Sequence, residues 1–313
     1  MFLDANESPF NTGYNRYPDP LQEELKEMLA PIKRVSTDEI FLGNGSDEAI
    51  DLVYRVFCEP RIDNVVAIAP SYGMYEVCAN INDVEYRKVL LDEQFQMHAD
   101  DMLHAADEHT KVMWICSPNN PTGNSIDRRE IKRILEEFAG IVVIDEAYGD
   151  FSEQRSLREL VSLYPRLIVL NTFSKAWASA SVRLGIAFAQ PEIIKIFNKV
   201  KYPYNVNQLT QRYAMELLRD REKVRRWLLD VKRERDNLIP ALQEVRCVKT
   251  VYPTDANFVL VKVTDANAIY NKLIERGVVV RNRNNVQLCG NCLRITVGNK
   301  QENNELLAAL RSM

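Results

Sequence analysis

The feature that most constrains the fold of this chain is a series of short strands, most of them apolar throughout, that alternates with helical patterns. The predicted strands lie at residues 65–69, 86–91, 112–116, 141–144, 167–170 and 185–189. Helical patterns at 75–80, 102–107 and 128–139 fall between them. Apolar strands of this kind are typical of sheets that are buried on both faces. The alternation therefore predicts an α/β fold, in which crossover helices cover both faces of a mostly parallel sheet.

The rest of the chain divides into an arm, the large domain and a smaller domain. Residues 1–20 are rich in asparagine, proline and tyrosine without a steady period, which predicts an extended N-terminal arm. Helical patterns at 21–30 and 46–57 open the large domain, which we predict to span 21–204. A long charged helical pattern from 208 to 242 predicts a solvated helical connection between the two domains. Mixed strands and helices follow it, so 205–313 is predicted to be a linker helix and a small α+β C-terminal domain.

Composition excludes several classes of protein. Lysine plus arginine total 40 and aspartate plus glutamate 44, so the basic excess of a nucleic-acid binder is missing. No apolar run is long enough for a transmembrane helix, and the N-terminus does not resemble a secretory signal. The six scattered cysteines are expected to be reduced thiols in a cytoplasmic protein. Cys289 and Cys292 have CxxC spacing, but a zinc site would need a second pair, and no metal site is expected.

Polar residues follow the predicted strands where a parallel α/β sheet collects its ligands. An amide, a carboxylate, a phenol, a lysine and a helix N-terminus would meet there. The segments that supply them are Gly43–Glu48, Ser117–Gly123, Asp145–Tyr148 and Asn171–Lys175. Their combination predicts a ligand site at the carboxyl edge of the sheet.

Each segment by itself has a plainer interpretation. Ser117–Gly123 has the composition of an ordinary turn, and a lone lysine such as Lys175 is usually a surface residue. Asp145 and Glu146 resemble the magnesium-binding pair of a P-loop NTPase, but no GxxxxGK[ST] segment precedes them. Gly43-Asn-Gly45 resembles the start of a dinucleotide fingerprint, but Glu48 stands at the third glycine. Only the conjunction of these segments at successive strand ends favours a catalytic site.

In these residues the chain resembles the fold-type I aminotransferases of the class I/II group, which depend on pyridoxal 5′-phosphate (PLP). The resemblance covers nearly the whole chain. Its motifs are 3–9 (LDANESP), 16–19 (RYPD), 43–48 (GNGSDE), 70–75 (PSYGMY), 117–123 (SPNNPTG), 145–148 (DEAY), 172–176 (TFSKA) with Arg183, 203–205 (PYN), 255–258 (DANF) and 293–298 (LRITVG). It implies a large domain with a seven-stranded, mostly parallel sheet. The arm motif and Pro203-Tyr204-Asn205 favour the histidinol-phosphate branch of the group.

The resemblance also assigns the cofactor-binding residues. Lys175 would carry PLP as a Schiff base and later shuttle a proton, while Asp145 would pair with the pyridinium nitrogen. Tyr148 and Asn120 would hydrogen-bond the ring oxygen, and Tyr72 would stack on the ring. The cofactor phosphate would lie at the helix N-terminus, a place suited to anions. Its implied ligands are Gly45, Ser46, Asp47, Ser174, Arg183 and, from the neighbouring subunit of a homodimer, Tyr17.

For the substrate, the resemblance implies that Arg294 and Arg281 grip an anionic group by paired N–H contacts, with Asn6 close by. The implied reaction is ping-pong transamination between histidinol phosphate and 2-oxoglutarate, which gives imidazole-acetol phosphate and glutamate, in histidine biosynthesis. Four alternatives stay open: an aminotransferase for aromatic or other amino acids, a threonine-phosphate decarboxylase, a non-catalytic PLP-fold regulator, and an inactive truncated form.

Two departures from the family pattern bear on these expectations. The arm is shorter than is usual in the family, which is expected to affect substrate closure and dimer stability. The run from Trp177 to Val182 stands where the family favours glycines. The geometry of the lysine loop is therefore less determined by the sequence than the strand ends are.

Overall fold

The structure is a computed structural model that describes residues 3–313. Its helices are α1 (Glu23–Lys33), α2 (Ser46–Phe57), α3 (Met74–Ile81), α4 (Ala99–His104), α5 (Arg128–Glu137), α6 (Pro191–Val200), α7 (Gln208–Arg219), α8 (Arg221–Gln243), α9 (Ala266–Glu275) and α10 (Lys300–Arg311). Its strands are β1 (Ile40–Asn44), β2 (Asn64–Ala69), β3 (Glu85–Leu90), β4 (Thr110–Cys116), β5 (Ile141–Asp145), β6 (Leu167–Thr172), β7 (Leu184–Phe188), β8 (Val248–Val251), β9 (Phe258–Val263), β10 (Arg281–Asn282) and β11 (Cys292–Thr296). Within residues 3–313, every helix is too short or too polar to cross a membrane.

The central sheet confirms the predicted α/β architecture. Its seven strands lie in the order β1-β7-β6-β5-β4-β2-β3. The pairs from β3 to β6 are parallel, whereas β7 runs antiparallel to both of its neighbours. Strand β1 therefore points the same way as the parallel set, so the carboxyl ends of all strands except β7 meet at one edge.

Both faces of this sheet are buried except at the edge strand β3, as its apolar strands predict. All six residues of β2 are buried. Val66 and Ile68 belong to one hydrophobic core and Val65 and Ala67 to another on the opposite face. This alternation follows from the two-residue period of a strand. The sheet is thus a rigid support for groups placed at its carboxyl edge.

A second sheet lies in the C-terminal part of the chain. Its four strands are antiparallel in the order β10-β11-β9-β8. On one face, Val261 and Leu293 pack into a separate core with residues of α8, α9 and α10. On the other face, Leu260 and Cys292 belong to a core that they share with the central sheet. One face of the second sheet is therefore packed toward the central sheet.

Some predicted elements were misplaced or missed. The helix predicted at 102–107 was wrong by about one turn, because Asp107 accepts hydrogen bonds from His109 and Asn64 in a turn before β4. The long helical pattern at 208–242 is two helices, α7 and α8, separated at Asp220. The sequence analysis missed β1, α6 and β8 altogether. In β1 only three apolar residues precede Gly43, too few to stand out as a strand.

Lys33 provides a buried link between the end of α1 and the central sheet. Its ammonium donates to the Oδ1 of Asn171 at 3.0 Å and pairs with Asp150 at 3.4 Å. It also lies 5.5 Å from the centre of the Trp177 ring. Asn171 and Trp177 flank Lys175 in the chain. Lys33 therefore supports the loop that follows β6.

We expect Lys33→Met to lower the free energy of unfolding by about 2 kcal/mol, because Asp150 and Asn171 lose a charged donor. Denaturant titration measures this change. Lys195→Met is the matched control, since Lys195 is exposed on α6, and it should change stability by less than about 0.5 kcal/mol. Equal unfolding midpoints for the two variants would show that the buried link does not stabilise the fold.

Candidate active site

A pocket opens at the carboxyl edge of the central sheet, where β4, β5 and β6 end and α2 begins. Its lining brings together most of the residues that the sequence singled out. These are Ser46, Asp47, Tyr72, Asn120, Asp145, Tyr148, Ser174, Lys175 and Arg183. Cys116, Ala147, Thr172 and Ala180 also line it. The sequence analysis missed these four, although Cys116 and Thr172 are the last residues of their strands and could have been found on that ground.

Lys175 lies in the loop after β6 with its side chain partly buried. Its Nζ is 5.5 Å from the centre of the Tyr148 ring. Within residues 3–313 its ammonium forms no ion pair with a carboxylate. Burial lowers the pKa of Lys175, and the charge of Arg294 acts in the same direction. Both effects favour the neutral amine, the form in which a lysine acts as a nucleophile.

Asp145 ends β5 and is almost completely buried. One carboxylate oxygen accepts a hydrogen bond from the hydroxyl of Tyr75 at 2.7 Å, and the other accepts one from the backbone N–H of Ala147 at 2.9 Å. Burial raises the pKa of Asp145, whereas these two hydrogen bonds lower it. A buried carboxylate at the wall of a pocket is suited to hold a cationic or N–H group of a ligand.

Tyr75 contacts Asp145 on the side away from the pocket. The sequence analysis assigned it no role. Its ring stacks on Trp114 at a centroid distance of 4.8 Å, and it is fully buried. Tyr72, three residues earlier and just before α3 begins, meets the Tyr75 ring edge-on at 5.6 Å and lines the pocket. An aromatic residue on an apolar helix face usually belongs to the core. The signal available was that Tyr75 lies in the same motif, residues 70–75, as Tyr72.

We expect Tyr75→Phe to raise the pKa of Asp145 further, because a buried carboxylate loses a donor. If the reaction needs ionised Asp145, the acidic limb of the kcat/KM profile moves to higher pH, and kcat/KM near neutral pH falls about tenfold. The measurement is a pH–rate profile. Tyr54→Phe is the matched control, because the Tyr54 ring also stacks near Trp114 and its hydroxyl donates to the carbonyl of Tyr75. An acidic limb that shifts equally in both variants would contradict this role of Tyr75.

The opposite side of the pocket is built around a close approach of two backbone segments. The N–H of Gly45 donates to the carbonyl of Arg183 at 2.8 Å. Gly45 has a φ of 76°, and a Cβ there would lie 2.5 Å from the Arg183 guanidinium. A Cβ on Gly185 would lie 2.1 Å from the nitrogen of Ser46. The two glycines therefore allow β7 to touch the start of α2.

The groups gathered there suit an anion. Ser46 and Asp47 form the first turn of the 12-residue helix α2, whose N–H groups and dipole favour negative charge. The Arg183 guanidinium donates to the hydroxyl of Ser174 at 3.3 Å and to the carboxylate of Asp47 at 3.4 Å. Asp47 also accepts a hydrogen bond from Tyr72 at 3.1 Å. The Asp47 side chain thus orients the cation and the phenol that border the subsite.

Arg294 of β11 approaches the pocket from the second sheet and contacts a residue of its wall, although it is not part of the lining itself. It donates to the Oδ1 of Asn120, and its guanidinium lies 5.1 Å from the centre of the Phe258 ring. Phe258 meets Tyr148 edge-on at 5.0 Å. Burial lowers the pKa of Arg294. Arg281 lies directly opposite Arg294 on β10 and is more exposed.

Gly45, Arg281 and Arg294 border the pocket without lining it, and two further predicted residues lie away from it within a single chain. Tyr17 stacks on Tyr204 at a centroid distance of 4.5 Å and lines a separate surface cavity. Asn6 is exposed in the N-terminal arm. The sequence analysis placed Tyr17 in the site of a neighbouring subunit, and that assignment stays a prediction.

Comparison with known proteins identifies the family. Residues 5–310 match the family described as aminotransferase class I and II. The chain belongs to the class I and II aminotransferases. It is 59% identical to the histidinol-phosphate aminotransferase of Bacteroides thetaiotaomicron over 99% of this chain and 90% of that protein. It is 50% identical to the enzyme of the same name from Flavobacterium johnsoniae, over 99% and 89%.

Solved structures of this aminotransferase fold agree with the architecture described above. The histidinol-phosphate aminotransferase from Clostridium acetobutylicum superposes with a TM-score of 0.89 at 26% identity, covering 96% of this chain and 91% of that one. Aspartate aminotransferase from Thermus thermophilus, a tetra mutant, gives 0.82 at 22% identity over 98% and 94%. The latter likeness is one of fold alone. The predicted fold type is confirmed.

Proposed function

We propose that this aminotransferase is a PLP-dependent histidinol-phosphate aminotransferase. It exchanges an amino group between histidinol phosphate and 2-oxoglutarate, giving imidazole-acetol phosphate and glutamate. The observation that carries the proposal is one pocket that contains a lysine amine without an ion pair in residues 3–313, a buried carboxylate and an anion subsite, with a further arginine bonded to the pocket residue Asn120. Relatives that are 46–59% identical over nearly the whole chain bear this name.

The residues of the pocket fit PLP. Lys175 offers an amine whose pKa is lowered, as condensation with an aldehyde requires. Asp145 offers a buried carboxylate that can hold a protonated ring nitrogen. Arg183 and the start of α2 offer donors for a phosphate. PLP, when bound, supplies an electron sink for the charge that develops on the substrate carbon.

Each of these residues then has a separate task. Lys175 would hold the cofactor, and its Nζ would move a proton at the substrate carbon. Asp145 keeps the ring nitrogen protonated. Tyr148 and Asn120 donate to the ring oxygen, Tyr72 covers the ring face, and the anion subsite fixes the cofactor. We assign its ligands as Gly45, Ser46, Asp47, Ser174 and Arg183.

The substrate binds between the two sheets. Arg294 and Arg281, opposite each other on β11 and β10, hold the anionic group of the substrate. The face that they share is turned toward the central sheet, which supports this assignment. We place Asn6 beside the substrate as well, carried there by the arm.

The remaining expectations belong to the same proposal. The chain is divided into the arm 1–20, the large domain 21–204, and the linker helix with the small domain 205–313. It acts in the cytoplasm as a homodimer, in which Tyr17 of one subunit binds the cofactor phosphate of the other. Exposed apolar side chains along the arm support this pairing, since a partner would cover them; they are Leu3, Phe10, Tyr14 and Tyr17.

Half-reactions with single substrates test the function. The PLP-loaded protein is mixed separately with glutamate, histidinol phosphate, phenylalanine and threonine phosphate, and loss of the visible cofactor band is followed. We expect rapid conversion with glutamate and histidinol phosphate and slow conversion with phenylalanine. Faster reaction with phenylalanine than with histidinol phosphate, or release of CO2 from threonine phosphate, would contradict the proposal.

A further inference from the structure

The second sheet turns one face toward the pocket, and the residues on that face can be read from strand parity. In β11, Leu293 and Ile295 point into the core of the small domain, whereas Cys292 points into the core shared with the central sheet. Arg294 is two residues from Cys292 and therefore lies on the same face. Its pairing partner on β9 is Leu260, which also belongs to the shared core.

Three arginines share this face. Arg281 pairs directly with Arg294 across β10 and β11. The N–H of Arg283 donates to the carbonyl of Cys292 at 2.9 Å, which continues the same register. Residues opposite each other in an antiparallel pair project to one face. Arg283 thus stands beside Arg281 and Arg294, and it was assigned no role in the sequence analysis.

The three arginines have no acidic partner. Within residues 3–313, no carboxylate lies within salt-bridge distance of any of them, although many other arginines of the chain are paired. The Nε atoms of Arg283 and Arg294 are buried and lack hydrogen-bond partners. Burial lowers the pKa of Arg283, and the charge of Arg281 acts in the same direction. Clustered cations with buried, unused donors are unfavourable until an anion joins them.

The three arginines lie next to the pocket that contains Lys175. Arg294 contacts Asn120 and lies over Phe258, and Phe258 packs against Tyr148. The Tyr148 ring is 5.5 Å from the Nζ of Lys175. An anionic group held by the arginines would therefore belong to a molecule whose other end reaches Lys175.

We propose that Arg283 is a third arginine of the substrate-anion subsite and that it favours substrates with a phosphate dianion over substrates with a carboxylate. This inference rests on the proposed function and adds a specificity residue to it. A carboxylate has one charge and two oxygens, which one guanidinium fork can hold. A phosphate dianion has three free oxygens and a second charge. Binding of a carboxylate therefore does not require Arg283, whereas a phosphate gains an additional charged contact from it.

Separate half-reactions of Arg283→Gln with histidinol phosphate and with glutamate test the inference. For histidinol phosphate we expect kcat/KM to fall about 10- to 100-fold, mainly through KM, because one charged contact is lost. For glutamate we expect a change of less than about threefold. Arg283→Lys keeps the charge and should recover part of the loss. Histidinol, which lacks the phosphate, should react equally slowly with the wild type and Arg283→Gln.

Arg246→Gln is the matched control, because Arg246 is an exposed arginine of the same part of the chain; it should behave as the wild type. If Arg283→Gln loses activity equally with both substrates, the inference is overturned and the proposed function stands. The same holds if the variant loses activity with neither substrate. If the wild type reacts with glutamate but not with histidinol phosphate, the proposed function is overturned, and the inference with it. The wild-type rates therefore separate the two failures.

Discussion

Lys175→Ala will reduce transamination by about 10⁴-fold. Under the proposed roles of Lys175, the variant loses both the amine that holds the cofactor and the base that moves the proton, and proton transfer alone contributes about 10²- to 10⁴-fold. Lys175→Arg will be similarly inactive, because a guanidinium stays protonated and cannot condense with an aldehyde. The measurement is the rate of each half-reaction under single-turnover conditions.

Two controls separate this loss from a loss of folding. Lys199→Ala removes an exposed lysine of α6 and should leave the rates unchanged. A small primary amine added to Lys175→Ala should restore part of the proton-transfer rate, since it can occupy the space of the missing side chain. A Lys175→Ala variant with more than about a tenth of the wild-type rate would show that another group moves the proton.

Asp145→Asn will slow both half-reactions by about 10³-fold. An amide cannot hold the ring nitrogen in its protonated form, so the cofactor withdraws electrons less strongly. Because Asp145 is proposed to act on the cofactor, the loss should be the same for glutamate and for histidinol phosphate. This symmetry distinguishes Asp145→Asn from Arg283→Gln, which should affect only the phosphorylated substrate.

The stability of Asp145→Asn provides a second readout. Burial raises the pKa of Asp145, which means that the ionised form is costly in the folded protein without a ligand. We expect the cofactor-free variant to unfold at the same denaturant concentration as the wild type or at a higher one. Glu146→Gln is the contrasting control. Glu146 is equally buried and its pKa is also raised by burial, but its carboxylate accepts hydrogen bonds from Ser156 and Leu157 outside the pocket, so its replacement should leave the rates within about threefold.

The sequence predicted the sheet and the edge at which the pocket lies. Apolar segments such as 112–116 and 141–144 become strands because only a doubly covered sheet buries them completely. Their parallel direction then brings Asn120, Asp145 and Lys175 to one edge. This inference needs only strand order along the chain. The family resemblance added which atom of the cofactor each side chain would meet.

Other features depended on contacts that sequence periodicity does not encode. In the sequence Tyr75 resembles an ordinary core residue. Only the structure shows that its hydroxyl donates a hydrogen bond to Asp145. Arg283 could not be assigned, because its direction follows from the register of a two-residue strand, β10. Strand β1 was hidden by Gly43 and Asn44. Those residues end β1 directly before Gly45, whose N–H donates to the carbonyl of Arg183, so the local departure from strand composition lies next to the anion subsite.

The proposed chemistry depends on a covalent bond between the Nζ of Lys175 and the cofactor. Borohydride reduction of the PLP-loaded protein, followed by trypsin digestion and mass spectrometry, tests it most directly. Reduction makes the link permanent and prevents trypsin from cleaving after Lys175. We therefore expect the added cofactor mass on the peptide that spans residues 167–183. Cofactor mass on a peptide that contains another lysine, such as Lys33 or Lys201, with cleavage after Lys175, would contradict it.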